Sequence, residues 1–233
     1  MQIIDNLFVF DFDDTLAKTV AHIGVARVMP NGTDDSLFPM WLENNNLYHE
    51  YSKKSDEGTF YYLPSENFAT YQKIATGEDI GDAKDIFDFQ ETASVDPQTT
   101  QAHQGIIQIL KQAESSPNSK VIIVTARGAD DFPGPFGNIR ATNREDIAAF
   151  LETTGVGIGG DAIFPVGSSN PQDKARIVKR YIDLLNPANV RFYDDNELNL
   201  AAIAELCDEY FPAVNIYTIK VTDGNQGSPT PCP

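Results

Sequence analysis

The stretch "LFVFDFDDTL" at residues 7–16 places three aspartates directly after an apolar run. Asp11, Asp13 and Asp14 follow four residues that are typical of a buried strand. A buried carboxylate is paired, hydrogen-bonded or metal-bound, or it takes up a proton. An aspartate can also attack phosphorus, and a second one nearby can transfer the proton. The stretch therefore indicates a metal site, a catalytic site or a solvated charge cluster.

Six further candidate residues lie where later predicted elements begin or end. The predicted strand 120–126 has Thr125 at its end, followed by Ala126 and Arg127, and the predicted strand 190–195 ends in two aspartates. A predicted helix over 170–185 carries a lysine in its first turn. The candidates are Thr125, Ala126, Arg127, Lys174, Asp194 and Asp195. Because ligands of parallel sheets bind at the carboxyl ends of the strands, these residues are expected to converge with Asp11 and Asp13.

The candidate side chains suit a metal ion and a phosphate group. Carboxylates that converge in a cleft of low dielectric constant repel one another strongly. A hard divalent cation removes this repulsion, and Mg²⁺ prefers a few carboxylate or carbonyl oxygens together with water. The hydroxyl of Thr125 and the ammonium of Lys174 suit a phosphate better than a metal, and the helix start near Lys174 also favours an anion.

The order of predicted elements indicates an α/β fold. From about residue 118 strands alternate with helices, which implies a parallel sheet with right-handed crossovers. We predict a doubly wound, Rossmann-like, mostly parallel sheet with an inserted cap or flap after the first strand. Asn143 and Asn170 are expected to cap two of the helices. The other predicted elements are helices 99–114, 143–155 and 196–210 and strands 161–167 and 214–221.

Residues 17–98 interrupt this alternation and carry no motif that identifies a substrate. They mix short β-like pieces with aromatic and polar segments, and residues 68–89 show turn signals rather than a long helical period. The segment "PNGTDD" at 30–35 has the composition of a hairpin turn. The predicted regions are a core of residues 1–16 and 99–222, a cap or flap of residues 17–98 and a loose tail of residues 223–233.

Composition limits the partners. The 233-residue chain has 17 basic and 34 acidic residues, a net charge of −17, which repels nucleic acid and anionic membranes. No apolar run approaches the roughly 20 residues of a membrane span, and the start does not resemble a signal peptide. A cytoplasmic protein with a small phosphorylated substrate and no membrane partner is expected. The two cysteines, Cys207 and Cys232, are expected to be free thiols.

Taken together, four segments resemble the signatures of the haloacid dehalogenase superfamily. "FDFDDTL" resembles the first signature, D-x-D-x-T, and "VIIVTAR" resembles the second, an apolar strand that ends in Thr or Ser. Lys174 has the position of the third, and "VRFYDDNELN" is similar to the acidic fourth. All four occur in order across residues 7–199. Many members have Gly-Asp at the fourth signature, where this chain has Asp194-Asp195.

The resemblance implies a Mg²⁺-dependent phosphatase that hydrolyses a phosphate monoester through an aspartyl-phosphate. It implies Asp11 as the nucleophile and Asp13 as the general acid and base. It implies Thr125 and Lys174 as phosphate ligands, and Ala126 and Arg127 are further substrate-binding candidates. The implied Mg²⁺ ligands are the Asp11 side chain, the Asp13 main-chain carbonyl and the pair Asp194 and Asp195.

Several alternatives stay open at this point. The double acid is similar to the polynucleotide 3′-phosphatase branch, although the net charge opposes a nucleic-acid substrate. A phosphoryl-transferring mutase and a non-catalytic phosphate- or partner-binding module are further candidates. Arg127 is expected either to contact substrate or to form a structural ion pair. Asp14 is expected to serve the turn after the first strand rather than catalysis.

Overall fold

The computed structural model describes residues 3–77, 82–128 and 131–232. Parts of three predicted regions lie outside the described residues: the start of the core at 1–2, turn signals at 78–81 and the end of the tail at 233. The strands are β1 (Asn6–Phe10), β2 (Ala17–Lys18), β3 (His22–Val28), β4 (Tyr51–Ser55), β5 (Gly58–Pro64), β6 (Lys84–Asp88), β7 (Gln101–Ala102), β8 (Ser119–Thr125), β9 (Phe132–Gly134), β10 (Gly137–Ile139), β11 (Ile163–Pro165), β12 (Asn189–Asp194), β13 (Asn215–Thr222), β14 (Asn225–Gln226) and β15 (Thr230–Pro231). The α-helices are α1 (Phe38–Asn44), α2 (Ser65–Gly77), α3 (Gln104–Ser115), α4 (Asn143–Thr153), α5 (Pro171–Leu185) and α6 (Glu197–Tyr210).

A mostly parallel sheet forms the centre of the larger of two compact units, which comprises residues 3–19, 95–128 and 142–232. Its strands lie in the order β11-β8-β1-β12-β13, and all of these neighbours are parallel. Strands β14 and β15 pair with β13 in the antiparallel direction. The predicted α/β class with a mostly parallel sheet is therefore confirmed.

Helices cover both faces of this sheet. Leu7 and Val9 of β1 pack on one face with apolar residues of α5 and α6, whereas Phe10 packs on the other with residues of α3 and α4. Successive side chains of a strand point to opposite faces, so a strand covered on both sides must be apolar throughout. This explains the continuous apolar runs of β1 and β8, and it leaves the carboxyl ends of the strands as the places for polar chemistry.

The second unit comprises residues 20–77, 82–94 and 131–141 and contains a four-stranded antiparallel sheet. The strand order is β4-β5-β3-β6, and α1 and α2 supply apolar residues that pack on one face. The turn predicted at residues 30–35 is present: Gly32 has a φ of +79° and Val28 bridges to Asp34. Residues 131–141, which the sequence pattern assigns to the core, group with this second unit.

Helix α2 corrects the expectation of turns from residue 68 onward. The helix continues to Gly77 although Thr70, Thr76 and Gly77 are poor helix formers. Phe68 and Tyr71, three residues apart, are both buried in the apolar core of the second unit. Burial of this face stabilises a helix that local propensity alone does not predict.

The C-terminal segment corrects the expectation of a loose tail. Asp223 and Gly224 have φ values of +49° and +72°, which suits a two-residue hairpin turn between β13 and β14. The chain then returns as β15, whose residue Pro231 pairs with Tyr217 of β13. The dipeptide Asp-Gly between two β-type segments is a hairpin signal. The polar composition after residue 222 favoured a loose tail instead.

Helix boundaries are partly as expected. Asn170 caps α5, since its side-chain oxygen accepts a hydrogen bond from the backbone N–H of Gln172. Asn143 does not cap α4, because Thr142 occupies the cap position and Asn143 is the first helical residue. Helix α3 begins at Gln104 rather than at residue 99, and the strand expected over 161–167 covers only β11.

Two further findings concern thiols and membranes. Cys207 and Cys232 do not form a disulfide, as predicted, and both line a cavity of about 140 Å³ beside β13. Over residues 3–77, 82–128 and 131–232, no helix combines the length and the apolar character that a membrane crossing requires.

Gly224 gives a test of the C-terminal hairpin. In Gly224→Ala the added methyl carbon would lie 2.4 Å from Nδ1 of His103, and the residue keeps a positive φ. A left-handed non-glycine residue costs about 1–2 kcal/mol by itself, so a larger fall in the free energy of unfolding is expected. The matched control is Gly32→Ala, which also has a positive φ but no described atom within 4 Å. Urea denaturation that shows equal losses for both variants would contradict the contact with His103.

Candidate active site

The carboxyl ends of neighbouring parallel strands bring the first acidic residues together. Phe10 of β1 pairs with Ile123 of β8 on one side and with Tyr193 of β12 on the other. Asp11 follows β1 and continues the ladder, since its backbone N–H donates to the Tyr193 carbonyl at 2.9 Å. Asp194 is the last residue of β12. The sheet register therefore places both aspartates at one edge.

Lys174 connects these two aspartates. Its Nζ lies 2.7 Å from Oδ1 of Asp11 and 2.9 Å from Oδ2 of Asp194, and all three side chains are buried. Burial by itself would lower the pKa of Lys174, but the two carboxylates raise it above its ordinary value. The ammonium is therefore charged at neutral pH and partly neutralises the acidic cluster.

One positive charge does not balance the carboxylates. Burial raises the pKa of Asp11 well above its usual range, and the charges of Asp194, Asp195 and Asp13 raise it further, while Lys174 opposes them. Burial also raises the pKa of Asp195 to about 8, with contributions from Asp194 and Asp14. These shifts have one cause, an excess of negative charge in a space that water reaches poorly. A bound cation would lower both pKa values.

The donor set fits a hard divalent cation. Asp11, Asp194 and Asp195 each offer a carboxylate oxygen, and these oxygens lie within 4.8 Å of one another. Oxygen-only ligation is preferred by Mg²⁺ and Ca²⁺, whereas zinc sites usually include histidine or cysteine. Within the described part of the chain, no other group of three acidic, histidine or cysteine residues is close enough to hold a metal.

The Asp194 carboxylate is held by three partners. Besides Lys174, the amide of Asn199 donates to both of its oxygens at 3.0 Å, and the backbone N–H of Asn196 donates to Oδ1 at 2.8 Å. Asn196 also caps α6, because its side chain accepts from the N–H of Leu198. The helix start therefore fixes the direction of the Asp194 side chain.

Asp13 has a different set of partners. Nε and Nη2 of Arg127 donate to its two carboxylate oxygens at 2.9 Å and 2.7 Å, and the Thr19 hydroxyl donates to Oδ1 at 2.8 Å. A two-point contact of this kind is among the strongest side-chain pairs in proteins. Of the two open interpretations of Arg127, the structure shows an ion pair with Asp13, and the guanidinium is 2% exposed.

The pKa values of Asp11 and Asp13 are therefore shifted in opposite directions. Burial would raise the pKa of Asp13, but the charge and hydrogen bonds of Arg127, together with the Thr19 hydroxyl, hold it below its usual value. Asp11, two residues earlier, has a raised pKa. Groups whose surroundings separate their pKa values in this way are suited to different chemical tasks.

The remaining predicted residues lie close to these partners in sequence. Thr125 ends β8 and is buried, and its hydroxyl accepts a hydrogen bond from the backbone N–H of Arg127 at 3.3 Å. Ala126, which follows it, is half-buried and offers only its backbone to a ligand. Asp14 has a φ of +54° and its N–H donates to the Ala17 carbonyl, which confirms that it serves the turn.

Two residues of the site, Thr19 and Asn143, were not predicted to belong to it. Thr19 contacts Asp13 and Asn143 contacts Arg127, whereas Thr15, the threonine of the D-x-D-x-T segment, donates to Asp195 at 3.4 Å. Threonine and asparagine are common in loops and at helix starts, so their identity alone does not mark them. Only the pairing of distant segments shows what each of them touches.

Comparisons with protein-family models, with curated proteins and with solved structures gave no match to this chain. A fold class by itself does not specify an activity, because one fold supports many kinds of chemistry. The chemistry of the side chains at the sheet edge therefore has to carry the functional assignment.

Lys174→Met tests the electrostatic balance of the cluster. The variant leaves Asp11 and Asp194 buried without their cation, and loss of one partner of a buried pair costs about 3–5 kcal/mol of unfolding free energy. Arg176→Met on the same helix removes an exposed pair with Asp173 and should cost under about 1 kcal/mol. Urea denaturation in a metal-chelating buffer measures both. Equal losses would show that Lys174 does not neutralise the cluster.

Proposed function

We propose that this chain is a Mg²⁺-dependent phosphatase of the haloacid dehalogenase type. The observation that carries the proposal is the convergence of three metal-binding carboxylates and one buried lysine at the ends of adjacent parallel strands. Each of these residues belongs to one of the four segments that resemble the superfamily signatures. The helices on both faces of the sheet support a doubly wound, Rossmann-like core, with residues 17–98 proposed as its inserted cap or flap.

Asp11 is the proposed nucleophile. One of its carboxylate oxygens forms a bond to phosphorus while the bond from phosphorus to the leaving oxygen breaks. Lys174 holds Asp11 in place through its 2.7 Å contact and opposes the negative charge of an incoming phosphate. Thr125 and the backbone after β8 are the proposed remaining phosphate contacts.

Asp13 is the proposed proton carrier. It donates a proton to the leaving oxygen, and as a carboxylate it later accepts one from the water that attacks the aspartyl-phosphate and restores Asp11. The pair with Arg127 favours the carboxylate, which is the form that the second step needs. The first step needs the protonated form, so Asp13 is expected to gain its proton only when substrate is bound.

The carboxylates of Asp11, Asp194 and Asp195 would hold the metal ion. A divalent cation at this position would offset the negative charge of both the cluster and the phosphate. Asn199 and Asn196 keep Asp194 directed toward this position. The proposed substrate is a small phosphate monoester, because a net charge of −17 disfavours a polyanion.

Asp11→Asn gives the direct test of the mechanism. The amide cannot act as the nucleophile, so hydrolysis in a screen of sugar phosphates, nucleotides, phosphoamino acids and 3′-phosphorylated oligonucleotides should fall to background. Asp183→Asn is the matched control, because Asp183 is an exposed residue of α5 that pairs with Lys179. Full activity of Asp11→Asn would contradict the mechanism. Substrate binding without turnover by the unmodified chain would favour a binding module instead.

Metal dependence gives an independent test. Treatment with EDTA should abolish turnover, and added Mg²⁺ should restore it. Asp195→Asn removes one ligand, so restoration should need a higher Mg²⁺ concentration than in the unmodified chain. Isothermal titration with Mg²⁺ measures the same change without any substrate. Activity that survives EDTA would contradict the proposed metal site.

A further inference from the structure

Asn143 is a fully buried polar residue that the proposed chemistry does not yet use. It is the first residue of α4, and its side chain does not cap that helix. Its amide nitrogen donates to the Gly128 carbonyl at 3.0 Å, and its Oδ1 accepts from Nη1 of Arg127 at 3.2 Å. Both ends of the side chain are thus directed at the loop that follows β8.

Asn143 is one of the residues that hold the Arg127 guanidinium in place. Nε and Nη2 face the Asp13 carboxylate, Nη1 faces Asn143, and the central carbon Cζ lies over the Phe12 ring at 5.6 Å from its centre. The guanidinium is planar and rigid, so a contact at Nη1 also sets the direction of the two bonds to Asp13. Asn143 and Asp13 are 130 positions apart in the chain and are connected only through Arg127 in this set of contacts.

We propose that Asn143 is a positioning residue that acts on Asp13 through Arg127. The inference rests on the proposed function, in which Asp13 donates a proton to the leaving oxygen. Proton transfer requires the carboxyl group to lie within hydrogen-bond reach of that oxygen. Without Asn143 the guanidinium rotates about its side-chain bonds, and the Asp13 carboxylate that it holds by two contacts moves with it.

Two substrates with different leaving groups distinguish a positioning role of Asn143 from a merely structural role. 4-Nitrophenyl phosphate releases a stabilised anion that needs little protonation, whereas glycerol 2-phosphate releases an alkoxide that needs the proton of Asp13. The ratio kcat/KM covers the steps up to the transfer of the phosphoryl group to Asp11. A displaced Asp13 therefore lowers kcat/KM for the alkyl ester and largely spares the aryl ester.

The experiment compares the two esters in Asn143→Ala. Misplacement of a reacting group by about 1 Å costs roughly 100-fold, so kcat/KM for glycerol 2-phosphate should fall by roughly 10- to 100-fold while the value for 4-nitrophenyl phosphate changes little. Hydrolysis of the phosphoenzyme also needs Asp13, so phosphoenzyme should accumulate with the aryl ester. The ratio of the two kcat/KM values does not depend on the folded fraction of the sample.

Thr142→Ala is the matched control at the same helix start. It removes the 2.6 Å hydrogen bond from Thr142 to Asp146 and leaves Arg127 in contact with Asn143. The ratio of the two kcat/KM values should stay unchanged. Equal losses on both esters in Asn143→Ala, no loss at all, or a changed ratio in Thr142→Ala would overturn the positioning role.

Asp13→Asn separates failure of this inference from failure of the proposed function. It should change the ratio in the same direction as Asn143→Ala and to a larger extent, since general acid–base catalysis contributes roughly 10²- to 10⁴-fold. An unchanged ratio in Asp13→Asn, or no hydrolysis of either ester by the unmodified chain, would overturn the proposed function itself. An altered ratio in Asp13→Asn together with an unaltered one in Asn143→Ala would overturn the positioning role alone.

Discussion

The structure of the larger unit is organised around negative charge that its own core cannot neutralise. Strands buried on both faces leave only their ends for polar residues, and β1 and β12 place Asp11 and Asp194 next to each other there. Lys174 is buried between them and supplies a compensating charge within hydrogen-bond distance of both. With Asp195 the cluster still carries an excess of carboxylate, and this excess is the physical basis for proposing a cation there.

A second ion pair gives Asp13 surroundings that differ from those of Asp11, although the two aspartates are only two residues apart. Asp11 belongs to the acidic cluster around Lys174, whereas Asp13 is bound by Arg127 and Thr19. Burial and the neighbouring carboxylates raise the pKa of Asp11, whereas Arg127 and Thr19 hold the pKa of Asp13 below its usual value in spite of its burial. Asn143 and Phe12 also contact the guanidinium, so this second pair involves a residue of α4 as well as residues that follow β1 and β8.

Failures of sequence-based prediction concentrate where distant segments meet. The apolar runs of β1 and β8 identified their strands to within one residue, because coverage on both faces requires an unbroken apolar sequence. Strand β12 was also predicted to within one residue, although Arg191 interrupts its apolar residues. Helix α2 was not predicted because Thr70, Thr76 and Gly77 are poor helix formers, and burial of Phe68 and Tyr71 stabilises the helix. The C-terminal hairpin was missed although its Asp-Gly turn is a local signal, since polar composition suggested a tail.

The sequence by itself determined the parallel α/β class, the two aspartates after β1, the acidic pair at residues 194–195, and the lysine at the start of α5. These follow from local pattern, because strand ends and helix starts are visible in the order of apolar and polar residues. Only the tertiary structure decided which group pairs with which. Arg127 lies two positions after Thr125, yet it binds Asp13 rather than remaining free for a ligand, and Asn143 binds Arg127 rather than capping its helix. Such pairings depend on which strands become neighbours in the sheet, and no single segment of the sequence contains that information.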